Sequence, residues 1–570
     1  MSQLTSRAWQ RAAIVCALAS SVVAIDGTLA QAQTGIYGGG ASLPAVANRN
    51  LMNCYGDNSA GNPPELGTPP KSTTTPPGIF DCTVAPFPVN PNVELLYLSV
   101  GSGNGKRAWR LHDASKLTFP NSFGPPPSRV PDASPIGASG DLGCFFDTNC
   151  ANTVWDRGFV GQTVDAVAYP TIHYAGSDDP LVASDVTEYN TTSGANHNFG
   201  PPIQMPIAVA TVGLAFNPAA SWNPQGKVFP GGHNSKVMLS RDVWCGIMTG
   251  AITTWQDPEI TDDNKSTGVG GTIQLGVGAI QVVYRSDGSG TTSLLSNALV
   301  NQCGSTSHPV AGSTHPVPDQ WLADQNPAIP NAPPFAANRD NFFIDIAAAG
   351  HLPANFVPAS GNGGVKTAIL GGAGRIGYLT PNAFQPYDTT GPKVANLQIW
   401  DNVLDIFNGL TTAFKYKEPS PKAASAIMSS KKPPSFAAST CAGSPGGCFN
   451  DIHKWAPANP LPTSSTAYPI GGFTMALLYT CYANQPVIDA LVAPYTASVP
   501  GYFSWFLATA TQNSKVPDFV LAQKGLSAIP ASWEGAAKKL ILTDLRTKIR
   551  KAPDTGFPAA SRVCPLGTGA

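Results

Sequence analysis

Residues 280–299 place a strand, a short glycine-containing loop and a helix in direct succession, which restricts the folds open to this chain. Apolar side chains alternate along 280–284, the period of a β-strand. After the loop, apolar residues recur at helical spacing, namely Leu294, Leu295, Ala298 and Leu299. The sequence therefore predicts a strand that turns directly into a helix.

The start of that helix suits an anion. It should lie at Ser289, Gly290 and Thr291, and helix N-termini carry unpaired N–H groups and a partial positive charge. Glycine lets a ligand approach the backbone, and Arg285 adds a planar charged group that fits oxyanions. We expect a tetrahedral oxyanion here. The alternative is an ordinary capped helix beside a surface arginine.

The N-terminus is typical of an exported protein. Arg7 and Arg11 precede an apolar run at 12–25, and small residues follow at 30–32. This order predicts a secretory signal peptide at 1–32, because the run is too short to span a bilayer. The net charge of −1 for the whole chain gives no indication of a nucleic-acid partner.

Ten cysteines remain after the signal peptide, so disulfides are the expected use in an exported chain. Three pairs are close in sequence: Cys54 with Cys82, Cys144 with Cys150, and Cys441 with Cys448. The other four must pair over longer distances: Cys245, Cys303, Cys481 and Cys564. A zinc site is the alternative, but neither CxxC nor HxxxH spacing occurs, so we expect no metal and no cofactor.

The chain has 57 glycines and 54 prolines but only 12% charged residues, which predicts long loops. Loop-like insertions are expected at 62–78, 120–135, 326–334 and 418–465. Between them, predicted strands at 93–97, 207–216 and 280–284 alternate with predicted helices at 45–51 and at 533–545, the last behind Ser532 as N-cap. This alternation favours an α/β architecture with ligands at strand ends.

Three more glycine-rich segments have the same anion-binding character: GGGASLP at 38–44, VGSGNGK at 100–106 and AGSDDP at 175–180. Each alone is more often a plain turn or cap. Their joint occurrence, together with IQVVYRSDGSGTT at 280–292, CGIMTG at 245–250, YPIGGFTMALLYTCYAN at 468–484 and IPASW at 529–533, resembles the DING proteins. That family is a branch of the periplasmic phosphate-binding proteins of phosphate ABC transporters.

The resemblance implies an α/β fold with two lobes that close over one phosphate, the type II periplasmic-binding-protein fold, carrying long Pro/Gly-rich insertions. One lobe would comprise residues 33–205 plus 464–570, and the other 206–463. The resemblance also implies disulfides between Cys245 and Cys303 and between Cys481 and Cys564. A periplasmic or secreted monomer is expected, with inorganic phosphate as ligand and an ABC transporter permease as a candidate partner.

Carried over residue by residue, the resemblance implies a phosphate-binding set: Ser42, Leu43, Ser102, Asp178, Arg285, Ser289, Gly290 and Thr291. Asp178 has the most specific role, because a carboxylate only accepts hydrogen bonds and so requires a protonated phosphate oxygen. Sulfate has no such proton near neutral pH and would be rejected. Asp287 would orient Arg285. In the alternative interpretation, Asp178 caps a helix at 184–189 or forms a surface ion pair with Arg285.

Two other functions compete with phosphate capture. A secreted phosphomonoesterase would need a metal cluster or an activated nucleophile, and the sequence contains no HExxH, Cx5R or DxDxT motif. We therefore expect no catalytic residues. An adhesion or assembly protein would place its function in the insertions.

Overall fold

The structure is a computed structural model. It describes residues 34–56, 87–117, 171–191, 199–218, 237–264, 278–308, 310, 312–325, 340–411, 413–435, 447–508, 515–544, 547–556, 562–564 and 569–570. The predicted signal peptide, the insertions at 62–78, 120–135 and 326–334, and four of the cysteines lie outside these residues: Cys82, Cys144, Cys150 and Cys441. Across the described residues, no helix combines the length and apolar character needed to cross a membrane.

Two main sheets organise the molecule. The first has six strands in the order β15-β4-β13-β3-β1-β2, and the second has five in the order β10-β5-β9-β7-β8. A three-stranded sheet (β12-β11-β6) and a two-stranded sheet (β14-β16) accompany them. The strands are β1 Thr34–Gly40, β2 Val93–Ser99, β3 Tyr174–Ser177, β4 Pro202–Thr211, β5 Gly213–Phe216, β6 Met238–Leu239, β7 Gln281–Arg285, β8 Phe356–Ala359, β9 Arg375–Leu379, β10 Lys393–Val394, β11 Asn396–Gln398, β12 Tyr416–Lys417, β13 Gly471–Tyr479, β14 Cys481–Tyr482, β15 Ser527–Ala528 and β16 Arg550–Lys551.

Helices connect and cover these sheets. The α-helices are α1 Ala45–Tyr55, α2 Ser102–Leu111, α3 Ala183–Thr191, α4 Arg241–Thr249, α5 Pro258–Asp263, α6 Gly290–Cys303, α7 Asp319–Gln325, α8 Phe342–Ala348, α9 Gly361–Leu370, α10 Trp400–Phe407, α11 Pro421–Met428, α12 Gln485–Val492, α13 Tyr502–Phe506, α14 Val516–Gln523 and α15 Ala531–Lys538. Short 3₁₀ turns occur at Ala114–Lys116, Pro381–Ala383, Gly447–Asn450 and Ile452–Trp455. The predicted α/β architecture is confirmed.

The parallel pairings explain why the strands lack a polar face. β1 pairs in parallel with β2 and β3, and β7 pairs in parallel with β8 and β9. Val282 faces the main core, whereas its neighbour Val283 packs in a second apolar cluster with Val365 and Ile369 of α9. Both valines are fully buried because such a sheet is covered on both faces.

The chain passes between the two main sheets at Val212. β4 ends at Thr211 in the six-stranded sheet and β5 begins at Gly213 in the five-stranded sheet, and the N–H of Val212 donates to the carbonyl of Ile470. The predicted single strand at 207–216 is therefore wrong. It reads as one apolar run, but its two halves hydrogen-bond to different sheets.

The sheets also suggest different lobe boundaries from those predicted at 205/206 and 463/464. The first boundary would cut through β4, and α11 packs on β4 and β13 of the six-stranded sheet rather than on the other lobe. We propose lobe 1 as residues 34–211 plus 418–570, and lobe 2 as residues 213–417.

The predicted helix at 533–545 with Ser532 as N-cap is also wrong in its bounds. The α-helix spans Ala531–Lys538 behind Pro530 and continues as a π-helix over Lys539–Thr543. The Pro530 carbonyl accepts the backbone N–H groups of Trp533 and Glu534, so the helix begins directly after this proline. Trp533 then points into the core, where its ring packs edge-on against Phe473.

Two disulfides join distant parts of the described chain. Cys245 bonds Cys303 within lobe 2 and so encloses the strand–loop–helix unit of β7 and α6. Cys481 bonds Cys564 beside β14. Cys54 and Cys448 are each disulfide-bonded as well.

Candidate functional site

Four loops meet where strands of the two main sheets end. Ser42 follows β1, Ser102 follows β2, and Asp178 follows β3, and these three strands run in parallel. Ser289 follows β7 of the opposite lobe. Because the carboxyl ends of parallel strands lie at one edge of a sheet, the topology brings these loops together, which is the usual ligand position in α/β folds.

Three helices begin at this place. α1 begins just after Ser42, α2 begins at Ser102, and α6 begins behind its N-cap Ser289. Their first turns carry N–H groups without intrahelical partners, and the macrodipoles add positive potential. The arrangement concentrates hydrogen-bond donors from both lobes on one small volume.

Glycines allow the lobes to touch here. Gly101 has a φ of 84°, and a Cβ on it would lie 2.6 Å from the carbonyl oxygen of Gly288 in lobe 2. A Cβ on Gly290 would lie 2.5 Å from the Cβ of Asp178 and would also collide with the Ser102 hydroxyl. The described conformation is therefore closed, with α6 seated directly on the loops of lobe 1.

Arg285 crosses between the lobes. Its Nη1 donates to the Ser42 hydroxyl at 3.1 Å, and its side chain is 1% exposed. Two further guanidinium donors bind Asp287, from Nε to Oδ1 at 2.7 Å and from Nη2 to Oδ2. Asp287 also accepts the backbone N–H of Gly361 at 2.8 Å. Because two guanidinium N–H groups bind the two oxygens of one carboxylate, this bidentate pairing fixes the plane of the guanidinium.

Asp178 is a buried carboxylate beside α6. It is 1% exposed, and its Oδ1 has no hydrogen-bond partner among the described residues. Burial raises its pKa to about 7, although the Thr474 hydroxyl and the Arg285 guanidinium partly oppose that shift. A buried acceptor without a donor is costly, so this oxygen is suited to a ligand that brings a proton.

The serine hydroxyls of the site share one hydrogen-bonding pattern. Ser42 accepts from Arg285, Ser102 accepts from the backbone N–H of Asp178 at 3.0 Å, and Ser289 accepts from the backbone N–H of Thr292 at 3.3 Å. A hydroxyl that accepts one N–H keeps its own proton for another acceptor. Each of the three hydroxyls therefore keeps a proton that it can donate.

The remaining predicted residues lie at the same place. The Thr291 hydroxyl is buried and has no partner among the described residues. Leu43 is fully buried in the turn that precedes α1. The structure thus brings together the whole predicted set, and Asp287 pairs with Arg285.

Two supports were missed from the sequence. The Tyr378 hydroxyl of β9 accepts the backbone N–H of Arg285 at 2.9 Å and lies 2.7 Å from the Thr292 hydroxyl. The second support is Asp179, which directly follows Asp178 and whose carboxylate accepts hydrogen bonds from Lys106 and from the Ser293 hydroxyl. No local pattern indicates Tyr378, since it follows Arg285 by 93 residues. The two aspartates at 178–179 are adjacent in the sequence, but the resemblance implies a ligand role for Asp178 only.

A methyl group on Gly290 should prevent closure. We expect Gly290→Ala to weaken phosphate binding roughly 10- to 100-fold, the equivalent of about 1–3 kcal/mol of overpacking. Calorimetric titration with phosphate measures this. Gly535→Ala is the matched control, because a Cβ there meets open space. Equal phosphate affinity in Gly290→Ala and wild type would contradict the closed geometry.

Comparison with known proteins agrees with this architecture. The family model of the PBP superfamily domain matches residues 71–397, more than half of the chain. Alkaline phosphatase L of Pseudomonas aeruginosa (strain UCBPP-PA14) is 26% identical over 458 residues, covering 78% of this chain and 82% of that protein. A phosphate-binding protein from an unknown prokaryotic organism is 26% identical over 383 residues, covering 65% of this chain and 80% of that protein.

A solved structure shows the same fold. The high-affinity periplasmic phosphate-binding protein PfluDING, determined with bound phosphate, aligns with a TM-score of 0.52 at 22% identity, covering 94% of this chain and 99% of that one. The predicted two-lobed binding-protein fold is therefore confirmed. The chain belongs to the PBP superfamily, and its fold is that of the DING-type periplasmic phosphate-binding proteins.

Proposed function

We propose that this chain is an exported protein that captures inorganic phosphate between its two lobes. One observation carries the proposal: donors from both lobes surround Asp178, a buried carboxylate whose Oδ1 has no partner among the described residues. A tetrahedral anion that carries a proton fits this combination. Relatives named or described as phosphate-binding proteins support the same ligand.

Each group has a distinct task in this proposal. Arg285 and the hydroxyls of Ser42, Ser102, Ser289 and Thr291 donate to phosphate oxygens, as do the backbone N–H groups of Leu43 and of the first turn of α6. Asp178 accepts the phosphate proton. Micromolar affinity requires about −8 kcal/mol, which several charge-assisted and neutral hydrogen bonds supply net of the cost of closure.

The lobes would close by a hinge motion because the anion contacts both at once. The chain would act as a monomer in the periplasm or outside the cell, and a transporter permease would be its partner if it delivers phosphate.

A phosphomonoesterase is the second candidate, favoured by the name alkaline phosphatase L of the relatives. The contacts of the serines argue for binding instead. A nucleophilic serine needs a base that accepts its proton, but Ser42, Ser102 and Ser289 each receive a hydrogen bond from an N–H donor. A group held in this way polarises an anion without becoming a stronger nucleophile.

Calorimetric titration of the refolded, phosphate-stripped mature protein with inorganic phosphate tests the proposal. We expect one site per chain with micromolar or tighter affinity, and no heat from sulfate at the same concentration. Release of inorganic phosphate from phenyl phosphate is followed in parallel. Absence of phosphate binding would refute the proposal, and turnover that is lost in a Ser42→Ala, Ser102→Ala or Ser289→Ala variant would favour the enzyme.

A further inference from the structure

Several hydrogen bonds join the lobes without belonging to the phosphate-binding set, such as those from Gln302 to the carbonyls of Pro460 and Pro469, and one of them lies directly beside the phosphate loops. The Ser293 hydroxyl of α6, in lobe 2, donates to Oδ1 of Asp179 at 2.6 Å, and Asp179 lies in the lobe 1 loop after β3. Ser293 is 1% exposed and Asp179 is 2% exposed. A hydrogen bond to a buried carboxylate is stronger than one between neutral groups in water.

Asp179 is held firmly on its own side. Its Oδ2 pairs with Lys106, its backbone N–H donates to the Ser177 hydroxyl at 3.2 Å, and that hydroxyl donates back to its carbonyl oxygen at 2.5 Å. Lys106 also lies 3.4 Å from Asp185, which in turn pairs with Arg110. Asp179 is therefore a fixed point of lobe 1, and its charge is compensated within that lobe.

Lys106 stays charged in this buried place. Burial alone would lower its pKa, but Asp179, Asp340 and Asp185 raise that pKa above its ordinary value. Lys106 pairs with Oδ2 of the Asp179 carboxylate while Ser293 donates to Oδ1 of the same group, so the acceptor of the Ser293 hydroxyl is one half of an ion pair. The bond between the lobes is charge-assisted as a result.

The bond lies beside both halves of the phosphate site. Asp179 directly follows Asp178, which accepts the phosphate proton in our proposal. Ser293 lies one helical turn beyond Gly290. Fixing Ser293 to Asp179 therefore sets the distance between the Asp178 carboxylate and the N-terminal donors of α6.

We propose that the Ser293–Asp179 hydrogen bond is a latch that holds the lobes closed, and that both side chains are positioning residues for phosphate retention. The inference rests on the proposed function for its ligand. Because the latch forms without any phosphate contact, it favours the closed form in the free protein as well. Phosphate then meets donors that are already close to their bound positions, and it leaves slowly.

The test compares wild type with Ser293→Ala, which removes the donor and leaves the Lys106–Asp179 pair intact. We expect phosphate to dissociate roughly 10- to 100-fold faster from the variant, because its closed form opens more readily. Protein loaded with radiolabelled phosphate and chased with unlabelled phosphate gives the dissociation rate. Ser293→Thr keeps the hydroxyl and should restore slow dissociation.

Ser504→Ala is the matched control, because this buried serine donates to the Val492 carbonyl within lobe 1. It should leave the phosphate dissociation rate at the wild-type value. A Ser293→Ala variant whose dissociation rate equals that of wild type, or whose melting temperature alone changes, would overturn the latch.

Small-angle scattering of the phosphate-stripped proteins tests the latch without ligand. Ser293→Ala should have a larger radius of gyration than wild type and than Ser504→Ala. If wild type binds no phosphate, the proposed function fails, and this comparison still decides on the latch. Equal radii for Ser293→Ala and wild type would overturn it.

Discussion

Arg285→Ala is expected to weaken phosphate binding by at least ~100-fold, the largest loss of phosphate affinity among the substitutions considered in this site. The variant loses a charged donor and leaves the buried Asp287 carboxylate with only the Gly361 N–H from its present partners. Removing one member of a buried ion pair costs about 3–5 kcal/mol, and a tenfold change in affinity corresponds to about 1.4 kcal/mol. Calorimetric titration with phosphate measures the loss.

The double variant Arg285→Ala/Asp287→Ala separates binding from stability. It removes the uncompensated carboxylate, so the free energy of unfolding should recover toward the wild-type value while phosphate binding stays lost. Arg375→Ala is the matched control, since this arginine of β9 donates to Gln281 and to the Ala368 carbonyl, away from the site. Phosphate binding that returns in the double variant would mean that Arg285 acts only through folding.

Asp178→Asn is expected to admit sulfate. The wild-type carboxylate faces a sulfate oxygen without a proton between them, and this arrangement costs several kcal/mol in a buried site. The asparagine amide donates instead, so the preference for phosphate over sulfate should fall roughly 100-fold or more. Titrations with each anion give the ratio, and Asp113→Asn serves as the control, because this half-buried aspartate pairs with Lys116 outside the phosphate-binding set.

The pH dependence of sulfate binding tests whether the Asp178 carboxylate is the group that rejects sulfate. Burial raises the pKa of Asp178 to about 7, so this side chain gains its own proton as the pH falls below 7. Protonated Asp178 donates as asparagine does, and wild type should therefore bind sulfate more tightly at pH 5–6 than at pH 8. Asp178→Asn should lack this rise. A wild-type sulfate affinity that is flat across that range would contradict the proton-based selection.

Selection of a protonated anion also explains why polar atoms of the site are left without partners among the described residues. The Thr291 hydroxyl and Asp178 Oδ1 are both buried in this state, one a donor and the other an acceptor. A native structure keeps such a group when function requires it. Phosphate would supply the missing donor at neutral pH.

Much of the local structure was predictable because it depends on neighbours in sequence. The strand–loop–helix unit at 280–299 appears as β7 and α6, with Ser289 as N-cap. The helix predicted at 45–51 extends over Ala45–Tyr55, and the strand predicted at 93–97 extends to Ser99. The predicted ends differ from the observed ends by a few residues, because apolar spacing indicates an element but not where its last hydrogen bond forms.

The crossings between the lobes were not predictable in the same way. Apart from Thr211 and Gly213, the run at 207–216 consists of apolar side chains, and its spacing does not indicate that Val212 leaves one sheet for the other. That change depends on β13 and β9, which pair with β4 and β5 from 160 or more residues further along the chain. The start of α15 is a different kind of error, because the sequence shows both Pro530 and Ser532. The prediction places the N-cap at Ser532, whereas the helix begins directly after Pro530.

The sequence by itself determined which loops have the chemistry of an anion site, because glycine, serine and arginine act there through their own backbone and side-chain properties. It also determined the α/β class, since apolar periodicity is local. Only the tertiary structure decided three hydrogen bonds between residues that are far apart in sequence. Arg285 donates to Ser42, which lies 243 residues away, the Tyr378 hydroxyl accepts the backbone N–H of Arg285, and Ser293 donates to Asp179. Such contacts depend on how two sheets approach each other in space, and no spacing along the chain records that distance.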